Sequence, residues 1–149
     1  MKRLLASLLL LFSTSAFAHP LTVAVLEVYD GDTIDISALL PPPLDELSVR
    51  VLGIDTPEKP ADSYYETGKL NRADCVAEAE LALKATEHVK KLIAENGNRI
   101  TLDNFSWDKY GGRINADVYI GELKLSDHLI EQGYAVPYDG GAKTHSWCD

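Results

Sequence analysis

Five charged residues stand at the edges of three short motifs in this 149-residue chain. Asp32 lies in Tyr29-Asp30-Gly31-Asp32-Thr33. Arg50, Asp55 and Glu58 lie in the stretch R-V-L-G-I-D-T-P-E at 50–58, and Arg113 closes Asp108-Lys109-Tyr110-Gly111-Gly112-Arg113. Two aspartates at strand boundaries, with a backbone carbonyl such as that of Thr56, form an all-oxygen set suited to Ca²⁺ or Mg²⁺, with water completing the shell. Glu58, three residues beyond Asp55, is placed to hold one of those waters and act as general base. Arg50 comes from the same strand, and Arg113 from a glycine-flanked turn that permits close backbone approach. Two planar guanidinium groups facing a cation match the non-bridging oxygens of a phosphodiester, where negative charge gathers in the transition state.

Taken singly, each motif has a plainer meaning. Asp-Gly-Asp-Thr is a turn, Asp-Thr-Pro-Glu a helix cap and Lys-Tyr-Gly-Gly a β-turn. The first is not an EF-hand loop, because Ile34 and Ile36 occupy positions where that loop needs ligands. Their combination in one chain is the signal.

The elements that must position these residues follow from periodicity. Residues 21–37 read as a hairpin turning at Asp30-Gly31-Asp32, and 48–54 as a third strand. Pro41, Pro42 and Pro43 mark a loop. Residues 58–71 are polar and loop-like. From Arg72 apolar residues recur at spacings of three and four, and Asn96-Gly97 supplies a stop. Strand character returns over 99–105 and 114–125. A short helix is expected from a capping Ser126 to Gln132, before Gly133. Strand runs interrupted by one long helix indicate an α+β fold around a small barrel, with a long helix after strand 3 and a short second helix. A five-stranded OB-fold β-barrel is the natural candidate, although periodicity alone does not separate it from other α+β folds.

Met1-Lys2-Arg3, an apolar run over 4–12 and Ala16-Phe17-Ala18 have the form of a secretory signal peptide cleaved after Ala18. The expected organisation is this leader over 1–18 and one domain over 19–149, with a secreted or periplasmic product. Removing Lys2 and Arg3 takes the formal charge from −9 to −9 − 2 = −11. Such a chain repels nucleic acid at long range, so any nucleic-acid role rests on a local basic site or a metal. Cys75 and Cys148 in an oxidising compartment read as one disulfide, worth about 4 kcal/mol by loop closure. The alternatives are two free thiols or a metal pair with His145, though two distant cysteines suit zinc poorly. His88 and His128 show no ligand spacing to each other. Glu78, Glu80, Glu87 and Glu95 read as the solvated face of the long helix, and Trp107 as a half-buried strand end or a base-stacking residue.

In this order the motifs D-G-D-T (30–33), R-V-L-G-I-D-T-P-E (50–58) and D-K-Y-G-G-R (108–113), with the weaker L-I-E-Q-G (129–133), resemble the staphylococcal nuclease (thermonuclease) family, in its secreted bacterial branch. The resemblance covers roughly residues 22–138. It implies an OB-fold barrel and Ca²⁺-dependent cleavage of DNA and RNA to 3′-phosphate ends. It implies Asp32, Asp55 and the Thr56 carbonyl as calcium ligands, Glu58 as activator of water, and Arg50 and Arg113 as phosphate clamps. Lys109 and Tyr110 match substrate-binding positions. A monomer with no membrane association after leader removal is expected. Three features depart from the family pattern: Gly111 and Gly112 both precede Arg113 where one glycine is usual, the chain is acidic, and a long third helix of the type protein has no counterpart in residues 137–149. A non-catalytic oligonucleotide-binding module and a structural Ca²⁺-binding domain are the alternatives. The latter leaves both arginines without a role.

Overall fold

A computed structural model describes residues 19–38, 41–42, 45–109 and 111–148. The expected leader and Tyr110 lie outside the described residues. The elements are β1 (Leu21–Val28), β2 (Thr33–Ser37), β3 (Glu46–Val51), β4 (Ile54–Asp55), α1 (Tyr64–Thr67), α2 (Val76–Glu95), β5 (Arg99–Trp107), β6 (Arg113–Ile120), β7 (Leu123–Lys124), α3 (Leu125–Glu131) and β8 (Val136–Pro137).

Strands β3-β2-β1-β5-β6 pair in that order, and a parallel β3–β6 pairing closes them into the expected five-stranded barrel. The closing register sets Ser48 beside Arg113 and Arg50 beside Asn115, so both arginine-bearing segments meet at one seam. Alternating side chains fill the interior: Ile34, Val49, Val51, Ile100, Leu102 and Val118 are all buried. Val89 and Ile93 of α2 and Leu125 and Leu129 of α3 join the same core. Among the described residues, no helix is long and apolar enough to cross a membrane.

Several local details differ from the periodicity reading, each for a physical reason. The third strand stops at Val51, because Gly53 turns the chain at φ 83° before β4. Helix α2 starts at Val76 rather than near Arg72, because Cys75 caps it: its Sγ accepts from the Glu78 N–H at 3.4 Å. Helix α3 begins at Leu125 directly after β7, with Lys124 at the cap position and no side-chain cap bond. Ser126 lies inside the first turn instead, with its Oγ near Asp127. The tail is not wholly irregular, since β8 pairs with β4, Asp55 opposite Val136. The Cys75–Cys148 disulfide is formed, with the Cα atoms 5.9 Å apart.

One expectation on side chains is corrected, and one packing contact is added. Glu78 is buried, not solvated, because the first turn of α2 faces the segment after β4 rather than solvent. His88 and His128, far apart along the chain, meet where α3 approaches α2: their Nε2 atoms lie 2.8 Å apart, and the rings stack at 5.1 Å. One nitrogen of such a pair donates and the other accepts. Burial, then the charges of His128 and Lys91, lower the His88 pKa, with Glu95 opposing.

Candidate active site

The site begins at the β1–β2 turn. The Tyr29 N–H donates to the Thr33 carbonyl at 2.9 Å, and the Asp32 N–H to Asp30 Oδ1 at 3.1 Å, an Asx-type turn that places Asp32 at the barrel rim. Gly31 is needed for contact rather than for its dihedral angles: a Cβ there would lie 3.0 Å from Thr56 Cγ2. The turn therefore abuts the β4 corner. Pairing of Thr33 with Arg50 across β2 and β3 sets the arginine beside the same turn. Its Nη2 lies 3.2 Å from Asp32 Oδ2 and 3.9 Å from Asp55 Oδ1, bridging the two aspartates.

The corner after β4 carries Asp55, Thr56 and Glu58. Pairing with β8 fixes its first residue. Pro57 is fully buried and anchors the bend. Glu78 then clamps the far side: its Oε1 accepts from the Glu58 N–H at 3.0 Å, and its Oε2 from the Asp74 N–H at 2.6 Å. The Glu58 carboxylate itself receives Arg72 Nη2 at 2.6 Å on Oε2 and Lys143 Nζ at 3.0 Å on Oε1.

Arg113 enters from the β5–β6 turn. Gly111 and Gly112 adopt φ of 74° and 77°, left-handed conformations that a side chain strains, so both glycines are required by this turn. The Asp108 N–H donates to the Arg113 carbonyl at 3.0 Å, and Arg113 Nε donates to Asp108 Oδ2 at 3.1 Å. The extra glycine thus builds a turn that holds the guanidinium by a carboxylate. Arg50, Arg72 and Arg113 share a small pocket of about 80 Å³ with Asp32, Thr56 and Glu58. It adjoins a groove of about 760 Å³ that Lys109, Trp107, Tyr138 and Lys143 also line. Trp107 is exposed, 70%, rather than half-buried.

The carboxylates are costly here without a cation. Asp32 is buried, and its pKa is pushed up to about 7, chiefly by burial and then by the charge of Asp30. Arg50 and the Thr33 hydroxyl act against that rise without cancelling it. Asp55 Oδ1 is buried and has no hydrogen bond of good geometry, although Lys143 Nζ lies at ion-pair distance, 2.7 Å. Burial lowers the Lys143 pKa, and its contacts with Asp55 and Glu58 outweigh that effect and raise it. A buried carboxylate whose nearest cation is a lysine ammonium, next to a second buried aspartate whose pKa is raised, fits a hard divalent cation. Among the described residues no three His, Cys, Asp or Glu side chains form a metal site by themselves. A cation would therefore take Asp32 and Asp55 together with backbone carbonyl and water oxygens.

The fold thus brings together Asp32, Arg50, Asp55, Thr56, Glu58 and Arg113, and places Lys109 on the adjoining groove. Residue-type reasoning did not assign roles to Arg72, Glu78 and Lys143. Arg72 offered one signal, as one of few arginines in the chain, whereas Glu78 and Lys143 depend on tertiary proximity.

No curated protein matches the chain. The family model described as staphylococcal nuclease homologue matches residues 48–146, a span that includes the 50–58 motif, the 108–113 turn and the tail carrying Lys143. With that match over most of the chain, and with a closed barrel gathering the charged residues at one rim, the chain belongs to the staphylococcal nuclease homologue family.

Proposed function

We propose that the mature protein is a secreted, Ca²⁺-dependent nuclease that hydrolyses phosphodiester bonds of DNA and RNA and leaves 3′-phosphate ends. The observation that carries this reading is Arg50 bridging Asp32 and Asp55 in the pocket that also holds Glu58 and Arg113. Asp32, Asp55 and the Thr56 carbonyl would hold the ion. Bound there, Ca²⁺ would neutralise the aspartates and polarise the scissile phosphate.

The chain's own residues supply the rest. Arg50 and Arg113 bind the non-bridging oxygens, and their fixed charge favours the transition state over the ground state. Glu58 accepts a proton from the attacking water. The water oxygen bonds to phosphorus as the P–O5′ bond breaks, and the departing O5′ takes a proton from solvent to become a 5′-hydroxyl, which leaves the phosphate on the 3′ side. Lys109 lines the groove beside this site and, by its match to the family motif, would contact the neighbouring phosphate of the substrate. Tyr110 is assigned to substrate binding by its match to the family motif. The leader-like N-terminus and the Cys75–Cys148 disulfide support a secreted or periplasmic location.

One observation favours a second reading, a non-catalytic oligonucleotide-binding module: both Glu58 oxygens are already ion-paired. The two readings separate in Glu58→Gln. A nuclease loses about 10²-fold or more in kcat while retaining single-stranded DNA binding. An unchanged cleavage rate in that variant removes Glu58 from the mechanism, and binding with no cleavage by the unmodified protein favours the module.

A further inference from the structure

Lys143 lies on residues 138–148, a strap held at both ends. At one end the Tyr138 N–H donates to the Gly53 carbonyl at 2.9 Å, just beyond the β4–β8 pairing. At the other, Cys148 is bonded to Cys75 at the start of α2. Between them a turn is folded by Tyr138 Oη donating to the Gly141 carbonyl at 2.6 Å and the Gly141 N–H donating to Asp139 Oδ1 at 3.0 Å. The strap carries the ammonium of Lys143 to 2.7 Å from Asp55 Oδ1 and 3.0 Å from Glu58 Oε1.

We propose that Lys143 is a tethered internal counter-ion that a divalent cation must displace from Asp55 and Glu58 in order to bind. The inference rests on the cation-dependent reading above and adds to it what sets the affinity.

Three features support it. Asp55 is a buried carboxylate whose Oδ1 has Arg50 only at 3.9 Å, so Lys143 provides its closest positive charge. Two carboxylates so placed need compensation when no cation is present. The double anchoring keeps the ammonium at high effective concentration, so it competes with an ion from solution far better than a free amine would. Finally, the residue is a lysine. Its charge is a compact point on a flexible stem, suited to occupying a cation's place, and its side chain is nearly half exposed, so it can withdraw to solvent. Displacement frees Glu58 Oε1 at the step in which the ion arrives, which couples cation binding to release of the proposed base. The tether also links cation affinity to the state of the disulfide.

The test is calorimetric titration of CaCl₂ into cation-free protein, comparing the unmodified protein with Lys143→Gln. The variant is expected to bind Ca²⁺ roughly tenfold more tightly, and its cation-free form to melt at a lower temperature, with the gap closing at saturating Ca²⁺. A double Cys75→Ser, Cys148→Ser variant keeps a side-chain cap on α2 and frees the strap. It is expected to tighten binding in the same direction and to reduce the further effect of Lys143→Gln. Equal, measurable affinities in the unmodified protein and Lys143→Gln overturn the counter-ion role and leave the nuclease reading intact. Absence of Ca²⁺ binding in both overturns the cation site, and the nuclease reading falls with it. Should the double serine variant fail to fold, the Lys143→Gln comparison decides alone.

Discussion

Glu78 is the residue on which the position of Glu58 depends. It is 4% exposed, and its two oxygens accept the Glu58 and Asp74 N–H groups at 3.0 and 2.6 Å. Hydrogen bonds to a charged acceptor contribute about 1.5–3 kcal/mol each. Glu78→Ala removes both and strands two part-buried donors. Water reaches part of that region and restores some of the loss, so about 3 kcal/mol is expected. At a few degrees per kcal/mol for a domain of this size, the thermal midpoint falls by roughly 10 °C. Glu78→Gln retains one acceptor oxygen but turns an amide N–H₂ toward the other donor, so it loses about half as much. Thermal unfolding followed by circular dichroism checks the order: unmodified protein, then Gln, then Ala. Glu78 acts through Glu58 rather than on substrate. Well below the lowered midpoint, the variants should therefore show reduced kcat with substrate affinity little changed. Midpoints and kcat both at the unmodified level in Glu78→Ala would refute the clamp.

Two further outcomes are expected. Gly112→Ala places a side chain at φ 77°, costs about 1–2 kcal/mol and disturbs the turn that holds Arg113, so cleavage should fall more than stability does; unaltered cleavage would show that the turn does not position Arg113. The His88–His128 pair makes stability pH-dependent. The folded pKa of His88 is lowered, so below its ordinary value near 6.5 the unfolded chain binds more protons than the folded one. The stability linked to His88 is therefore present above pH 6.5 and is lost as pH falls through its folded pKa. Urea midpoints at pH 5.5 and 7.5 should differ less in His88→Gln than in the unmodified protein, and equal differences would remove the pair as the cause.

The strands were legible because they carry alternating apolar residues, and these lie on the inner face as expected. Their closure into a barrel was implied by the family resemblance, since alternation alone does not separate one α+β fold from another. The chemistry was legible for a related reason. A buried strand has little use for Arg50 in its length or for carboxylates at its ends, so those residues stood out against the pattern. The local features that escaped are those decided by contacts distant in sequence. Lys143 meets Glu58 across 85 residues, through the β4–β8 pairing and the disulfide. Helical periodicity assigns Glu78 to a polar face, yet a first-turn side chain answers to whatever precedes the helix, here the Glu58 corner. His88 and His128 are separated by 40 residues and meet only once α3 has packed. Gly112 was legible as an extra residue, and its φ gives the reason it must be glycine.

The central claim is that the rim built from Asp32, Asp55, Glu58, Arg50 and Arg113 cleaves a phosphodiester with the help of a cation. The most direct measurement is incubation of the mature protein with end-labelled single-stranded DNA in Ca²⁺, with and without chelator, followed by analysis of the product termini. Fragments bearing 3′-phosphate that form with Ca²⁺ and vanish with chelator are predicted. Intact DNA in Ca²⁺, or cleavage that chelator leaves unchanged, would contradict it.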